Sequence, residues 1–134
     1  MLKHINKRRG GFTLVEIMIV VAIIALLAAI AVPGFLRARK RSQATRILND
    51  LRMIDSAVDQ YAIETNRSSG ATVNTTDWKV YLKQGTMLYN TASDILGNPY
   101  GNQIVDTLPS VPHSSFVALS DVAPAAFWSP YSAN

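Results

Sequence analysis

The chain has 134 residues, enough for one small domain. It contains no cysteine, so disulfide bonds, thiolate nucleophiles and cysteine-ligated metals are excluded. The formal net charge is +4, but the four bases at positions 3, 7, 8 and 9 precede every acidic residue. Without these four, nine of the thirteen bases remain against nine acids, which argues against nucleic acid as a partner.

The first predicted segment is a basic leader, residues 1–11, which an apolar run follows directly. A basic stretch before an apolar run is typical of a targeting signal. The run is longer than that of a cleaved secretory signal, and no small-residue cleavage site follows its end. The small residues Ala29 to Ala31 are the one alternative place for such a cut.

The apolar run from Phe12 to Leu36 predicts a membrane-spanning helix, residues 12–36. As a helix it would be about 37 Å long, at about 1.5 Å per residue, and the hydrocarbon core of a bilayer is about 30 Å thick. Four bases lie between Arg37 and Arg41, as many as in the leader, so the charge rule gives no orientation.

One carboxylate, Glu16, lies near the start of this apolar run. A charged residue at the centre of a membrane costs roughly 2.5 kcal/mol or more, and the cost falls towards either end. Two interpretations are open. The carboxylate reaches the headgroups without a partner, or it pairs with a cation that a single chain does not show.

The residues Gly11-Phe12-Thr13-Leu14-Val15-Glu16, with the basic leader before them and the apolar run after them, resemble the prepilin signal of type IV pilins and type II secretion pseudopilins. The resemblance implies that a prepilin peptidase cuts between Gly11 and Phe12 and that the new amino terminus is methylated. It implies roles in filament assembly for Phe12, Thr13 and Glu16. The Glu16 carboxylate would meet the amino terminus of a neighbouring subunit, where a buried ion pair fixes the register.

The same resemblance implies a structural protein and not an enzyme. The leader would be cytoplasmic, and the head would be periplasmic or extracellular. The implied partners are copies of the chain in a helical filament, prepilin peptidase, an inner-membrane assembly platform and, before assembly, inner-membrane lipid. A type II secretion pseudopilin of the major, G-like type is favoured. A type IV pilus or DNA-uptake pilin and a membrane-anchored binding module are the alternatives.

Pro33 and Gly34 interrupt the apolar run near its end. A proline inside a helix removes a backbone donor and clashes with the carbonyl group four residues earlier, here that of Ala29. We therefore expect a kink or a loosened helix, and the alternative is that the helix ends at the membrane border. The resemblance implies that the helix melts around Pro33 and Gly34 in the filament.

The remaining residues, 37–134, are predicted to form a soluble pilin-like head that includes the second half of the long helix. Apolar side chains recur in steps of three and four, which predicts an amphipathic helix to about Glu64, ended by Asn66. The apolar face is Ala44, Ile47, Leu48, Leu51, Ile54, Val58, Tyr61 and Ala62, and the opposite face carries Arg46, Asp50, Arg52 and Asp59. The basic cluster between Arg37 and Arg41 is expected at phospholipid headgroups.

The pattern after this helix predicts a small antiparallel sheet. Residues 75–77 could cap a short helix, although the stretch also alternates as a strand would. Residues 103–108 and 116–119 are predicted strands. The predicted fold is therefore α+β, a long helix packed on a small antiparallel sheet. The C-terminal aromatics Phe127, Trp128 and Tyr131 are expected in the core.

A second resemblance lies in the stretch from Asp94 to Tyr100, which is similar to the D-x-x-G-x-P-Y loop of major pseudopilins through Asp94, Gly97, Pro99 and Tyr100. Major pseudopilins bind calcium nearer the C-terminus, where Asp106 and Asp121 are the only later acids. Their spacing matches no calcium loop, so no metal ligand is assigned. No cofactor is expected, and calcium is left open.

Overall fold

A computed structural model describes residues 10–133, so most of the predicted leader lies outside the described residues. The chain divides into two compact units, Met1–Leu36 and Arg37–Asn134. In the first unit, residues 10–13 have no regular secondary structure, and helix α1, Leu14–Thr65, begins directly after them.

The second unit contains the rest of α1 and a series of short elements, which confirms the predicted α+β fold. In chain order the elements after α1 are β1 (Thr72–Val73), α2 (Thr75–Lys79), α3 (Met87–Thr91), β2 (Gln103–Ile104), β3 (Ser110–Val111), α4 (His113–Leu119), a 3-10 helix (Ala125–Trp128) and β4 (Ser132–Ala133). Strands β1 and β2 pair antiparallel, and β3 and β4 form a second, parallel pair.

The predicted strand at residues 116–119 is wrong, because this stretch lies in α4. The amides of Ser115 and Phe116 both donate to the carbonyl of Pro112, at 3.0 Å, and these bonds close the first helical turn. Ser115 and Leu119, four residues apart, share the buried face. A short apolar run fits either a strand or a helix by periodicity, so the alternation carried too little information.

The predicted strand at residues 103–108 is shorter than expected. Only Gln103 and Ile104 pair with a neighbouring strand. Asp106 adopts a left-handed backbone conformation with φ 60°, and the amide of Thr107 donates to the carbonyl of Ile104 at 3.1 Å. The strand therefore has only two residues, and a turn follows it.

The apolar face of α1 packs into the core of the head, as predicted. Its buried residues are Ala44, Ile47, Asp50, Leu51, Ile54, Ala57, Val58 and Ala62. The assignment of Asp50 to the polar face was wrong. Asp50 lies three residues after Ile47 and four before Ile54, and this spacing places it on the same face as both.

The end of α1 is close to the predicted one. The helix ends at Thr65, and Asn66 follows it in the left-handed conformation with φ 55°. The amide of Arg67 donates to the carbonyl of Ala62 at 3.0 Å, as in a Schellman motif. Within α1, the helix continues through Pro33 and Gly34, so the alternative of a helix end at the membrane border is wrong.

Candidate functional site

The candidate processing segment, residues 10–13, lies just outside the helix. Gly11 and Phe12 are both exposed, and the Phe12 residue is 86% accessible. A Cβ atom added at Gly11 would meet nothing within 4 Å. The backbone around the Gly11–Phe12 bond is thus open to an external protein and is not held in helical hydrogen bonds.

Thr13 and Glu16 form a reciprocal pair at the start of α1. The amide of Glu16 donates to Thr13 Oγ1 at 3.2 Å, and the amide of Thr13 donates to Glu16 Oε2 at 3.2 Å. This is a capping box, which satisfies two backbone donors that a helix start otherwise leaves free. The T-x-x-E spacing of Thr13 and Glu16 is the sequence signal for this box, which the predicted role of Glu16 did not include.

The capping box changes the account of Glu16. The carboxylate already accepts a hydrogen bond within its own chain, a partner that neither interpretation of the sequence included. A negative charge in the first turn also interacts favourably with the helix dipole. The Glu16 carboxylate therefore has a hydrogen-bond partner before any second chain approaches.

The apolar side chains of the first unit are exposed throughout its described residues. Every described residue from Gly10 to Leu36 is exposed, including large side chains such as Leu14, Ile24, Ile30 and Phe35. By length and composition, α1 could cross a membrane. An uncovered apolar surface of this size indicates contact with lipid, with another protein chain, or with each in turn.

The Asp94 loop, residues 94–100, closes on its own first residue. Asp94 is fully buried, and its Oδ1 accepts the amides of Leu96 and Asn98, both at 2.9 Å. The amide of Gly97 donates to the Asp94 carbonyl at 3.0 Å, and Gly97 has φ 86°, which favours glycine. Pro99 forms a β-bridge with Ser93 on the other side of the turn.

The same loop is tied to α4 through Ser115. The Ser115 hydroxyl donates to Asp94 Oδ2, and Asn98 Nδ2 donates to Ser115 Oγ at 2.7 Å. Ser115 is fully buried. Nothing in the sequence pattern pointed to Ser115, since it lies 21 residues after its carboxylate partner.

Tyr100 ties the loop to α1. Its hydroxyl donates to Asp50 Oδ2 at 3.1 Å, and both residues are buried. Burial raises the pKa of Asp50, although the Tyr100 hydrogen bond opposes this. Burial and the negative charge of Asp50 raise the pKa of Tyr100, so its hydroxyl stays protonated. The loop thus connects two helices of the head through buried polar contacts.

Among residues 10–133, no three side chains of His, Cys, Asp or Glu converge as metal ligands would. Asp106 lies in the turn after β2, and the Asp121 carboxylate accepts a hydrogen bond from Lys40 Nζ at 3.0 Å. Trp128 is fully buried, and its indole donates to the Ala123 carbonyl at 3.1 Å, which confirms its predicted place in the core.

The family model for the prokaryotic N-terminal methylation motif matches residues 6–32. The matched range contains the Gly11–Phe12 bond, the capping box and most of the apolar run. The chain therefore carries an N-terminal methylation motif of the prokaryotic type. The pilin and protein G relatives are structural subunits, which confirms the prediction that the chain is not an enzyme. The N-terminal helix and the motif indicate that the chain is anchored in a membrane.

The relatives of the chain include pilins and a type II secretion protein. It is 41% identical over 68 residues to the type IV major pilin protein PilA of Myxococcus xanthus. The aligned segment covers 51% of the chain and 31% of the relative. It is 37% identical over 83 residues to a fimbrial protein of Pseudomonas aeruginosa, 61% of the chain and 54% of the relative. It is 31% identical over 62 residues to the type II secretion system core protein G of Aeromonas hydrophila, which corresponds to 46% of the chain and 43% of the relative.

The chain therefore spans from about a third to just over half the length of these relatives. No solved structure matches it significantly. Because these relatives include both pilins and a protein G, they do not separate a pilin from a pseudopilin.

Proposed function

We propose that the chain is a structural subunit of a type IV pilus-like filament. The observation that carries the proposal is the first unit, an exposed apolar helix that begins with a processing motif. Such a helix needs lipid before assembly and other copies of itself afterwards. The pilin and protein G relatives support the same conclusion.

Processing prepares the helix for assembly. Cleavage between Gly11 and Phe12 by prepilin peptidase would leave an amino group on Phe12, with a reference pKa of about 7.7–8.0. That group is mostly cationic at neutral pH and would be methylated. It would lie four residues before Glu16, beside the start of α1.

Assembly then pairs this cation with the Glu16 carboxylate of a neighbouring copy. In the separate subunit Glu16 is held by Thr13. In the filament, the same carboxylate would neutralise an amino terminus within a bundle of apolar helices, an ion pair that specifies register. Local melting around Pro33 and Gly34 would let neighbouring helices slide and pack.

Within the family, we favour a major, G-like pseudopilin of type II secretion, because the Asp94 loop has the D-x-x-G-x-P-Y pattern. The subunit would wait in the inner membrane with its head in the periplasm until the assembly platform takes it up. The proposed function requires no cofactor. A type IV pilus or DNA-uptake pilin is the alternative that the pilin relatives support. Loss of protein secretion in a deletion strain favours the first, and loss of surface pili favours the second.

The decisive experiment compares three variants in cells that assemble filaments. Glu16→Leu removes the charge and the cap, whereas Glu16→Gln removes the charge and keeps a residue that suits a capping box. Thr13→Val removes the threonine cap and keeps the carboxylate. Breaking one partner of a buried ion pair costs about 3–5 kcal/mol. Both Glu16 variants should therefore insert into membranes normally and lose most filaments, while Thr13→Val retains them.

Filaments are recovered by shearing, and membrane fractions from the same cells report insertion. Normal filament yield with Glu16→Gln would refute the ion pair, and losses with Glu16→Leu and Thr13→Val alone would assign the effect to the cap. Intact mass spectrometry of the membrane pool tests the processing step separately. A chain that starts at Phe12 with a methylated amine supports it, and a chain that starts at Met1 overturns it.

A further inference from the structure

Five cations follow the apolar run with no acid among them: Arg37, Arg39, Lys40, Arg41 and Arg46. In the orientation given under the proposed function they lie on the head side of the membrane. The positive-inside rule disfavours cations on that side. Four of them occupy five consecutive positions, so they oppose the proposed orientation unless something else compensates their charge.

The head itself compensates little of this charge. Lys40 pairs with Asp121 at 3.0 Å, and the pKa of Asp121 is lowered mainly by this bond, with a smaller contribution from Arg37. Among the described residues, no carboxylate lies within ion-pair distance of Arg39 or Arg41. Arg37, Arg39 and Arg41 are all exposed. One carboxylate therefore faces four cations.

Arg41 has an aromatic neighbour instead of an acid. Its guanidinium carbon lies 5.8 Å from the centroid of the Phe127 ring, a cation–π arrangement. Phe127 is only partly buried and follows directly on an exposed stretch, residues 124–126. The contact places the guanidinium at the surface, where its N–H donors can reach an anion.

The position of these residues along α1 indicates which anion they meet. Arg37 directly follows the last residue of the apolar run, and Arg37 to Arg41 span about 6 Å of helix at about 1.5 Å per residue. The headgroup layer of each leaflet is about 5–8 Å thick. All three arginines fall within one such layer when the apolar run fills the hydrocarbon core.

We propose that Arg37, Arg39 and Arg41 form a binding surface for the phosphates of anionic phospholipids, with Phe127 positioning Arg41. We call these four residues the border surface. Arginine suits this ligand because its planar fork of donors matches phosphate oxygens. The inference rests on the proposed function for the membrane insertion of residues 12–36. Asp121 opposes lipid binding, since it contributes a negative charge beside Arg37 and Lys40.

The test uses the full chain in vesicles that contain spin-labelled phosphatidylglycerol or spin-labelled phosphatidylcholine. Electron paramagnetic resonance then gives the preference of the protein-bound lipid shell for each label. The test variant carries Arg37→Gln, Arg39→Gln and Arg41→Gln. The matched control carries Arg52→Gln, Arg67→Gln and Lys83→Gln, the same loss of charge at exposed positions of the head. Arg52 lies about 22 Å further along the helix than Arg37, at about 1.5 Å per residue.

The unaltered chain should prefer phosphatidylglycerol at low salt, and the preference should weaken as salt is added. In the test variant the preference for phosphatidylglycerol should be lower by a factor of at least about three, because each basic residue is attracted to an anionic surface. The matched control should keep it, and Asp121→Asn should increase it. The leader is the same in every variant, so its cations contribute equally. Near-UV circular dichroism of the two buried tryptophans confirms that each head is folded.

Equal preference for both lipids in the unaltered chain would overturn the proposal, as would equal losses in the test variant and the matched control. A loss of lipid preference that appears only after chains are cross-linked would overturn the proposal and assign the border surface to contacts between copies of the chain. The measurement uses separate subunits, so it does not depend on filament formation. Normal filaments with Glu16→Gln would refute the ion-pair proposal and would not affect the lipid result.

Discussion

The variant Tyr100→Phe removes a single oxygen atom, and with it the hydrogen bond from Tyr100 to Asp50. Both residues are only 9% exposed, so water cannot easily replace the lost hydroxyl. The Asp50 carboxylate would lose its side-chain donor while still buried. A hydrogen bond to a charged group contributes about 1.5–3 kcal/mol. We therefore expect the free energy of unfolding of the head to fall by about 2 kcal/mol.

The assay is thermal unfolding of the full chain in detergent micelles, followed by near-UV circular dichroism. The chain has two tryptophans, Trp78 and Trp128, and both are fully buried in the head. Their signal therefore reports the head and not the apolar half of α1. For a unit of this size each kcal/mol corresponds to about 4–8 °C, so the melting temperature should fall by about 8–16 °C.

Two further variants make this test specific. Tyr89→Phe removes a hydroxyl from a partly buried tyrosine that has no buried carboxylate partner, and it should melt close to the unaltered chain. Asp50→Leu combined with Tyr100→Phe removes both partners and should recover part of the loss. A melting temperature for Tyr100→Phe within about 2 °C of the unaltered chain would show that the bond contributes nothing.

Three other variants test the head by different means. Asp50→Asn keeps an acceptor for Tyr100 but cannot ionise. Burial raises the pKa of Asp50 above 3.8 in the folded head. The unaltered head therefore loses stability as pH rises through that raised pKa. The urea midpoint of the variant should therefore improve relative to the unaltered chain between pH 3.8 and neutral pH, and a constant difference would contradict this. Trp128→Ala should cost about 3–5 kcal/mol in urea unfolding, because it empties a fully buried site. Gly97→Ala should cost about 1–2 kcal/mol through its φ of 86° alone, since an added Cβ meets no atom within 4 Å; a loss beyond about 3 kcal/mol would point to a clash instead.

Features that depend on local pattern could be predicted from the sequence. The apolar run, the processing motif and the buried face of α1 each follow from composition or from spacing along one helix. The end of α1 at Thr65 was also close to its prediction, because Asn66 adopts the left-handed conformation that the residue tolerates well.

Features that depend on contacts between distant segments could not be predicted. The residue type of Asp50 favours the polar face of α1, whereas its spacing from Ile47 places it on the buried face. The partners of Asp94 and Asp50 lie 21 and 50 residues away, and a single sequence gives no sign of such pairing. The parallel pairing of β3 with β4 depends on the same kind of long-range contact.

The buried contacts of the Asp94 loop have a consequence for how the head can vary in evolution. A buried carboxylate at position 94 needs the hydroxyl of Ser115, and a buried hydroxyl at position 115 needs an acceptor. Related heads should therefore change positions 94 and 115 together, and likewise positions 50 and 100. An aligned set of relatives in which Asp94 persists opposite alanine or valine at position 115, with no compensating donor nearby, would contradict this coupling.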